Sequence, residues 1–175
     1  MKNFVNKFLA FFKMNNIFYR FLDADDLWFL KEMLFEAIYL PPDEKKKLTP
    51  EILNHPQIKL YHENWGRKGD IAIIALDVEK PVGCIWTRLY TNEYPGFGFI
   101  DDSIPEVSVA LVEEYRGKGI GTKLFELILN ECKKSGYSCL SLSVDAVNQS
   151  YKLYKRIGFT DHCFKDGTYT MKIIL

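Results

Sequence analysis

The spacing of apolar and polar residues divides the chain into predicted strands and helices. Residues 17–22 suit a first strand, and Asp23 has the position of a helix N-cap. The helix that follows is marked by apolar residues at helical spacing: Leu27, Leu30, Leu34, Ala37 and Ile38. Pro41 and Pro42 end this helix, because proline lacks the N–H that a helix interior needs.

From residue 71 onward, a β hairpin is followed by alternating strands and helices. Strands are predicted at 71–77, 81–90, 106–112, 139–144, 159–164 and 169–175. Helices are predicted at 119–134 and 149–156, and Asp166-Gly167 predicts a tight turn before the last strand. This order indicates a mixed α/β (α+β) sheet with a β-α-β-α-β core in a single domain, residues 14–175.

Residues 1–13 form a separate amphipathic extension. Four phenylalanines share one face at helical spacing: Phe4, Phe8, Phe11 and Phe12. We therefore expect an extra N-terminal helix that docks on the domain or on a second subunit of a homodimer. A membrane-surface helix and a translation start at Met14 are the alternatives.

Composition narrows the class of protein. The 175 residues contain 23 basic and 23 acidic side chains, so no overall field attracts nucleic acid. No apolar run near the N-terminus approaches the ~20 residues of a membrane span. The four cysteines have neither CxxC pairing nor metal-ligand spacing, so we expect reduced thiols in the cytoplasm and no bound metal.

A glycine-rich turn lies between the predicted strand 106–112 and the helix after it. Gly117, Gly119 and Gly121 let backbone N–H groups approach a ligand, and the helix dipole favours an anion there. Arg116 and Lys118 can add charge-assisted hydrogen bonds. The spacing matches neither GxxxxGK[ST] nor GxGxxG, whose third glycine would fall at Thr122. By spacing alone, a generic phosphate site and a ligand-free turn both remain open.

Three linked motifs resemble those of the GNAT superfamily of acetyltransferases. Residues 116–121 (RGKGIG) resemble its R/Q-x-x-G-x-G/A signature, and residues 105–112 (PEVSVALV) resemble its central strand. Residues 148–159 (NQSYKLYKRIGF) resemble the N…A…LY…GF motif, with Ser150 where alanine is commoner. The resemblance is specific because the three motifs occur in the expected order.

The resemblance implies a mostly antiparallel, twisted sheet of about seven strands flanked by helices. It also implies acetyl-CoA as cosubstrate, with the pyrophosphate at the glycine turn and the pantetheine arm along the central strand. The implied cofactor-binding residues are Leu111, Val112, Arg116, Gly117, Lys118, Gly119, Ile120, Gly121, Thr122 and Asn148.

The same resemblance implies direct transfer of the acetyl group to an amine. Tyr154 has the position of the group that protonates the leaving thiolate, and a phenol of pKa ~10 is protonated at neutral pH. Glu106 has the position of the base that deprotonates the amine. Asp101 and Asp102 in the preceding loop are rival bases.

The acceptor is not defined by the sequence. A small primary amine is the first expectation, a protein or peptide N-terminus the second, and a non-catalytic acyl-CoA-binding regulatory module the alternative from another class. Arg88, which shares a strand face with Trp86, either meets an acceptor carboxylate or pairs with an acidic side chain.

Overall fold

A computed structural model describes residues 12–14 and 16–175. Eight strands form one sheet: β1 (Phe12–Met14), β2 (Ile17–Phe21), β3 (Ile71–Asp77), β4 (Lys80–Arg88), β5 (Glu106–Leu111), β6 (Cys139–Asp145), β7 (Thr160–Lys165) and β8 (Thr168–Ile174). The α-helices are α1 (Leu27–Ala37), α2 (Pro42–Lys45), α3 (Pro56–Lys59), α4 (Ile120–Lys134) and α5 (Ser150–Ile157). No helix in this described part is long and apolar enough to cross a membrane.

The strand order is β1-β2-β3-β4-β5-β6-β8-β7. Neighbouring strands are antiparallel except β5 and β6, which run parallel. That parallel pairing consists of Glu106 opposite Ser141 alone, whereas β4 and β5 pair over six positions. The sheet is therefore continuous at one end of β5 and opens into a wedge toward the other end.

Each face of the sheet is covered by helix. Helix α4 buries Leu124, Phe125 and Ile128 against one face, at the spacing that places them on a single helical stripe. Helix α1 buries Phe29 and Leu30 against the other face, beside Trp86 of β4 in the same apolar cluster. The sheet thus lies between two apolar layers, as the sequence pattern predicts for a mixed fold.

The fold class expected from sequence is confirmed, with small shifts at the ends of elements. The turn predicted before the second hairpin strand is shorter, because β4 already begins at Lys80. Phe12 and Lys13 lie in strand β1, where a helix was predicted. The rest of the predicted N-terminal helix, residues 4–11, lies outside the described residues.

Arg88 forms an ion pair with Asp70 inside the protein. Its Nε and Nη2 donate to the two carboxylate oxygens of Asp70 at 2.8 and 2.7 Å, and both side chains are buried. Nη1 donates to the backbone carbonyls of Leu60 and Glu63 at 2.6 and 2.9 Å, and the guanidinium lies 5.1 Å from the Trp65 ring. Of the two roles open for Arg88, pairing with an acidic residue is confirmed.

We expect Arg88→Met to lower the free energy of unfolding by about 3–5 kcal/mol, because it leaves the Asp70 carboxylate buried without its partner. Arg67→Met, in the same loop region but exposed, is the control and should change stability by less than about 0.5 kcal/mol. Urea denaturation of the two variants and the parent measures both effects. Equal stabilities for all three would contradict a structural role for the pair.

Candidate active site

The wedge between β5 and β6 exposes backbone groups of β5. Ser141 N–H donates to the carbonyl of Pro105 at 3.0 Å, where the two strands still meet. On the other side of β5, Val112 N–H donates to the carbonyl of Val82 at 2.9 Å. Since alternate residues of a strand direct their backbone groups to opposite neighbours, those of Val109 and Leu111 face the wedge. This edge is a row of hydrogen-bonding groups that β6 does not satisfy.

A cavity of about 380 Å³ occupies the wedge. One part of its wall is apolar and comes from the end of α1 and the segment after it, including Leu34 and Ile38. Polar side chains from several parts of the chain line the rest, among them Tyr61, Glu106, Ser143, Asp145, Asn148 and Tyr154. The cavity therefore brings together both catalytic residues expected from sequence, although they lie 48 positions apart (154 − 106).

Glu106 is a buried carboxyl group at the base of the wedge, with 4% of its surface exposed. Burial raises its pKa to about 7, and the hydrogen bond from Tyr61 and the backbone of Gly98 offset only part of this rise. Its Oε2 makes no hydrogen bond of ordinary distance and angle among the described residues. A carboxyl group with this pKa can accept a proton near neutral pH and release it again.

Tyr61 of the turn after α3 holds this carboxyl group in place. Its hydroxyl donates to Glu106 Oε1 at 2.7 Å and accepts the Phe97 N–H at 2.7 Å. Its ring lies 5.0 Å from that of Tyr90, and burial raises the pKa of the Tyr61 hydroxyl well above its usual value. Tyr61 is not among the site residues expected from sequence, because Tyr61 and Glu106 are separated by 45 positions and belong to no common motif.

Tyr154 points from α5 into the same cavity. Its ring packs edge-on against Phe125 at 5.6 Å and lies 6.1 Å from Phe159. Burial raises the pKa of its hydroxyl to about 12, while a hydrogen bond with Ser150 lowers it slightly. The phenol is therefore protonated at neutral pH and is a potential proton donor. Asn148 Oδ1 accepts the Ser150 N–H at 2.9 Å and so helps to begin this helix.

The glycine-rich turn leads into the N-terminus of α4. Gly117 and Gly119 have φ values of +71° and +81°, which side-chain-bearing residues rarely adopt. Gly121 has ordinary backbone angles, and a Cβ there would lie 3.6 Å from Leu111, a normal contact. The N–H groups of the first helical turn, Ile120 to Thr122, lack partners within the helix, so they can bind an anion.

The two basic residues of this turn already have partners. Arg116 forms an ion pair with Glu36 near the end of α1, and its Nε donates to the carbonyl of Leu111 at 3.2 Å. The Lys118 ammonium lies 5.1 Å from the centre of the Tyr115 ring. Arg116 thus connects the glycine turn, strand β5 and helix α1.

Asp101 and Asp102 do not line the cavity. Asp101 Oδ1 accepts hydrogen bonds from the N–H and hydroxyl of Ser103, and Asp102 Oδ1 accepts the N–H of Asn92. Both are exposed turn residues. Residues 12–14 and 16–175 contain no cluster of three or more histidine, cysteine, aspartate or glutamate side chains suited to a metal ion.

Comparisons with known proteins agree with this geometry. The profile of the Acetyltransferase (GNAT) family matches residues 34–159. A mycothiol acetyltransferase from Corynebacterium aurimucosum is 32% identical over 85 residues, which are 46% of this chain and 26% of that protein. The chain thus spans about a quarter of the length of this relative. N-alpha-acetyltransferase 30 from Schizosaccharomyces pombe is 28% identical over 109 residues, 50% of this chain and 73% of that protein.

Solved structures show the same fold. The PaiA N-acetyltransferase from Thermoplasma acidophilum, in complex with coenzyme A, has a TM-score of 0.68 at 18% identity and covers 91% of this chain and 99% of its own. The ribosomal-protein-S5-alanine acetyltransferase from Vibrio fischeri has a TM-score of 0.60 at 17% identity, and the match covers 94% of this chain and 96% of that protein. At these identities the likeness concerns the fold alone.

The raised pKa of Glu106 predicts a specific dependence of stability on pH. Between its value in an unfolded chain, ~4.3, and about 7 in the folded protein, the folded state holds a proton that the unfolded state has released. Raising the pH through this window therefore lowers the free energy of unfolding. Between pH 4 and pH 8, we expect the free energy of unfolding of the parent to fall by about 3 kcal/mol more than that of Glu106→Gln.

Urea denaturation at several pH values measures this difference. The control is Glu93→Gln, which removes an exposed carboxyl group from the loop between β4 and β5 and should follow the parent at every pH. Parallel stability curves for the parent and Glu106→Gln would show that Glu106 is not held in a desolvated state.

Proposed function

The chain belongs to the GNAT acetyltransferase family, and on this premise we propose that it transfers the acetyl group of acetyl-CoA directly to a primary amine. The observation that carries the proposal is that Glu106 and Tyr154 line one cavity at the open wedge of the sheet. Their pKa values, about 7 and about 12, suit a base and an acid respectively. Near neutral pH, the ionised form of Glu106 can therefore accept a proton and the Tyr154 hydroxyl can donate one.

We place the cofactor along the exposed edge of β5. The pyrophosphate would accept hydrogen bonds from the free amides at the start of α4, and Arg116 and Lys118 are the nearest cations of that turn. The pantetheine arm would bind the backbone groups of Val109 and the N–H of Leu111, whose carbonyl already accepts a hydrogen bond from Arg116 Nε. Val112, which the sequence also indicated, is less suited to bind the arm, because both its backbone groups have partners. Its N–H donates to the carbonyl of Val82, and its carbonyl accepts the N–H of Tyr115.

The proposed chemistry follows from these positions. Glu106 removes a proton from the amine, directly or through water, and the amine nitrogen attacks the thioester carbonyl carbon. A new N–C bond forms as the carbonyl oxygen becomes an oxyanion. The intermediate then collapses, the C–S bond breaks, and the Tyr154 hydroxyl donates its proton to the departing sulfur. The nitrogen gives up its second proton to the Tyr154 phenolate or to solvent, which leaves the neutral amide and the CoA thiol. Proton exchange with solvent restores both side chains.

Two other functions have some support. Similarity to N-alpha-acetyltransferase 30 favours an N-terminal amine of a protein or peptide as acceptor. A non-catalytic acyl-CoA-binding module is the alternative outside enzymes, but the paired acid and base in the cavity are more than acyl-CoA binding requires. The four cysteines are free thiols, which is typical of a reducing compartment, so a cytoplasmic location is part of the proposal.

Acetyl-CoA should stabilise the protein, because a ligand that binds only the folded state adds to its stability by mass action. At an acetyl-CoA concentration ~100 times its dissociation constant, the free energy of unfolding should rise by ~2.7 kcal/mol. Gly119→Val should abolish this gain by placing a branched side chain at the proposed phosphate site. Thermal denaturation with and without acetyl-CoA measures the effect.

The matched control for Gly119→Val is Gly136→Val at the other end of α4. The φ values of Gly119 and Gly136 are +81° and +85°, and at neither position does another atom lie within 4 Å of an added Cβ. The two substitutions should therefore introduce similar backbone strain. Gly136→Val should therefore lose stability like Gly119→Val but keep the full response to acetyl-CoA. An unchanged parental melting temperature at saturating acetyl-CoA would exclude it as the cofactor.

Tyr154→Phe should lower kcat by roughly 100-fold while changing acetyl-CoA affinity little, since the lost proton acts as the thiolate departs. Tyr151→Phe is the control on the same helix, because the Tyr151 hydroxyl bonds Asp161 outside the cavity. It should retain parental kcat. CoA release with an accepted amine gives the rates, and parental kcat for Tyr154→Phe would remove its assigned role.

Glu106→Gln should also lower the rate, and its defect should shrink as pH rises, because free amine then becomes available without a base. The pH–rate profile of the parent should lose activity below about pH 7, where Glu106 is protonated. Parental rates for Glu106→Gln at every pH would assign the proton transfer to water or to another group.

A further inference from the structure

The charge of the cavity lining restricts the acceptor. Among the described residues that line it, the ionisable groups with negative charge are Glu106 and Asp145, and there is no lysine, arginine or histidine. The wall formed by the end of α1, the segment after it and Phe97 is apolar or aromatic: Leu34, Ala37, Ile38, Tyr39, Leu40 and Phe97. Such a lining favours an ammonium group attached to an apolar body.

Three cations on neighbouring elements of the fold are already bound to other groups. Arg88 lies directly opposite Glu106 on the neighbouring strand, but its guanidinium is bound by Asp70 and two backbone carbonyls. Lys45 donates at 2.8 Å to the carbonyls of Phe35 and Ile38 at the end of α1. Arg116 is paired with Glu36. None of the three is available to bind a carboxylate in the cavity.

Glu106 itself has unused hydrogen-bonding capacity. Oε1 accepts the Tyr61 hydroxyl, whereas Oε2 has no partner of ordinary geometry, although the residue is almost completely buried. Since the backbone of Gly98 already stabilises the carboxylate in part, an N–H of an acceptor amine that reached this oxygen would add to that stabilisation. The same oxygen would repel a second carboxylate held close to it.

We propose that the acceptor is a small primary amine on an apolar body, with no carboxylate beside the amine. The inference rests on the proposed acetyl transfer and defines its substrate class. Small size follows from the volume, about 380 Å³, which the acceptor must share with the thioester end of the cofactor. A free α-amino acid would place its carboxylate near Glu106, desolvated and without a cation to pair with it.

The test compares three acceptors that share a phenyl ring and an amine: phenethylamine, phenylalaninol and phenylalanine. Phenylalaninol is matched to phenylalanine in size and in amine basicity but lacks the carboxylate. We expect kcat/KM for phenylalaninol to exceed that for phenylalanine by at least about 100-fold, because burying an unpaired charge is strongly unfavourable. Phenethylamine should be as good as phenylalaninol or better.

Equal values for phenylalanine and phenylalaninol would overturn the inference while leaving acetyl transfer intact. Poor values for both, beside rapid turnover of phenethylamine, would also overturn it, because size rather than charge would then determine selection. A tetrapeptide amide with N-terminal phenylalanine that exceeds all three tenfold would assign the site to peptide N-termini instead. Stabilisation by acetyl-CoA without turnover of any of these amines would reject the proposed function itself.

Discussion

The parting of β5 from β6 is the feature on which the rest of the structure depends. A parallel pair normally satisfies the backbone groups of both strands, but here pairing stops after Glu106 and Ser141. The unsatisfied edge of β5 is left open to a ligand, and the side chains of α1, α5 and the Phe97 loop converge on the space that results. A gap in hydrogen bonding within the sheet thus provides both the cavity and a row of polar groups along it.

The chemistry of the cavity comes from polar groups that the fold keeps away from water. Burial shifts the pKa of Glu106 into the range of a useful base and that of Tyr154 further from ionisation. Tyr61 limits the penalty for burying Glu106 by donating a hydrogen bond to it, and the Phe97 amide fixes Tyr61 in turn. Such a buried hydrogen-bond network specifies a single arrangement of its side chains, because each member depends on the next for a partner.

Much of the fold and part of the site follow from sequence, because they arise from local pattern. Strands β2 to β8 and helices α1, α4 and α5 lie within a few positions of the predicted elements, whereas the short helices α2 and α3 have no predicted counterpart. The glycine turn, Glu106 and Tyr154 belong to motifs of contiguous residues. Tyr61 and the Asp70 partner of Arg88 were not predicted, since each is brought to its partner by tertiary packing. The free edge at Val109 was likewise hidden, because strand pairing and not residue type decides which backbone groups remain exposed.

The ion pair between Arg116 and Glu36 has a consequence for affinity. A cofactor phosphate that engages this guanidinium would have to compete with a carboxylate already bound to it. The net contribution of Arg116 would then be the difference between two ionic contacts, smaller than either alone. Because Glu36 lies near the end of α1, which forms the apolar wall of the cavity, exchange of partners at the glycine turn would alter the surroundings of the proposed acceptor site. Thermodynamic linkage makes any such effect reciprocal, so the acceptor would change cofactor affinity by the same factor.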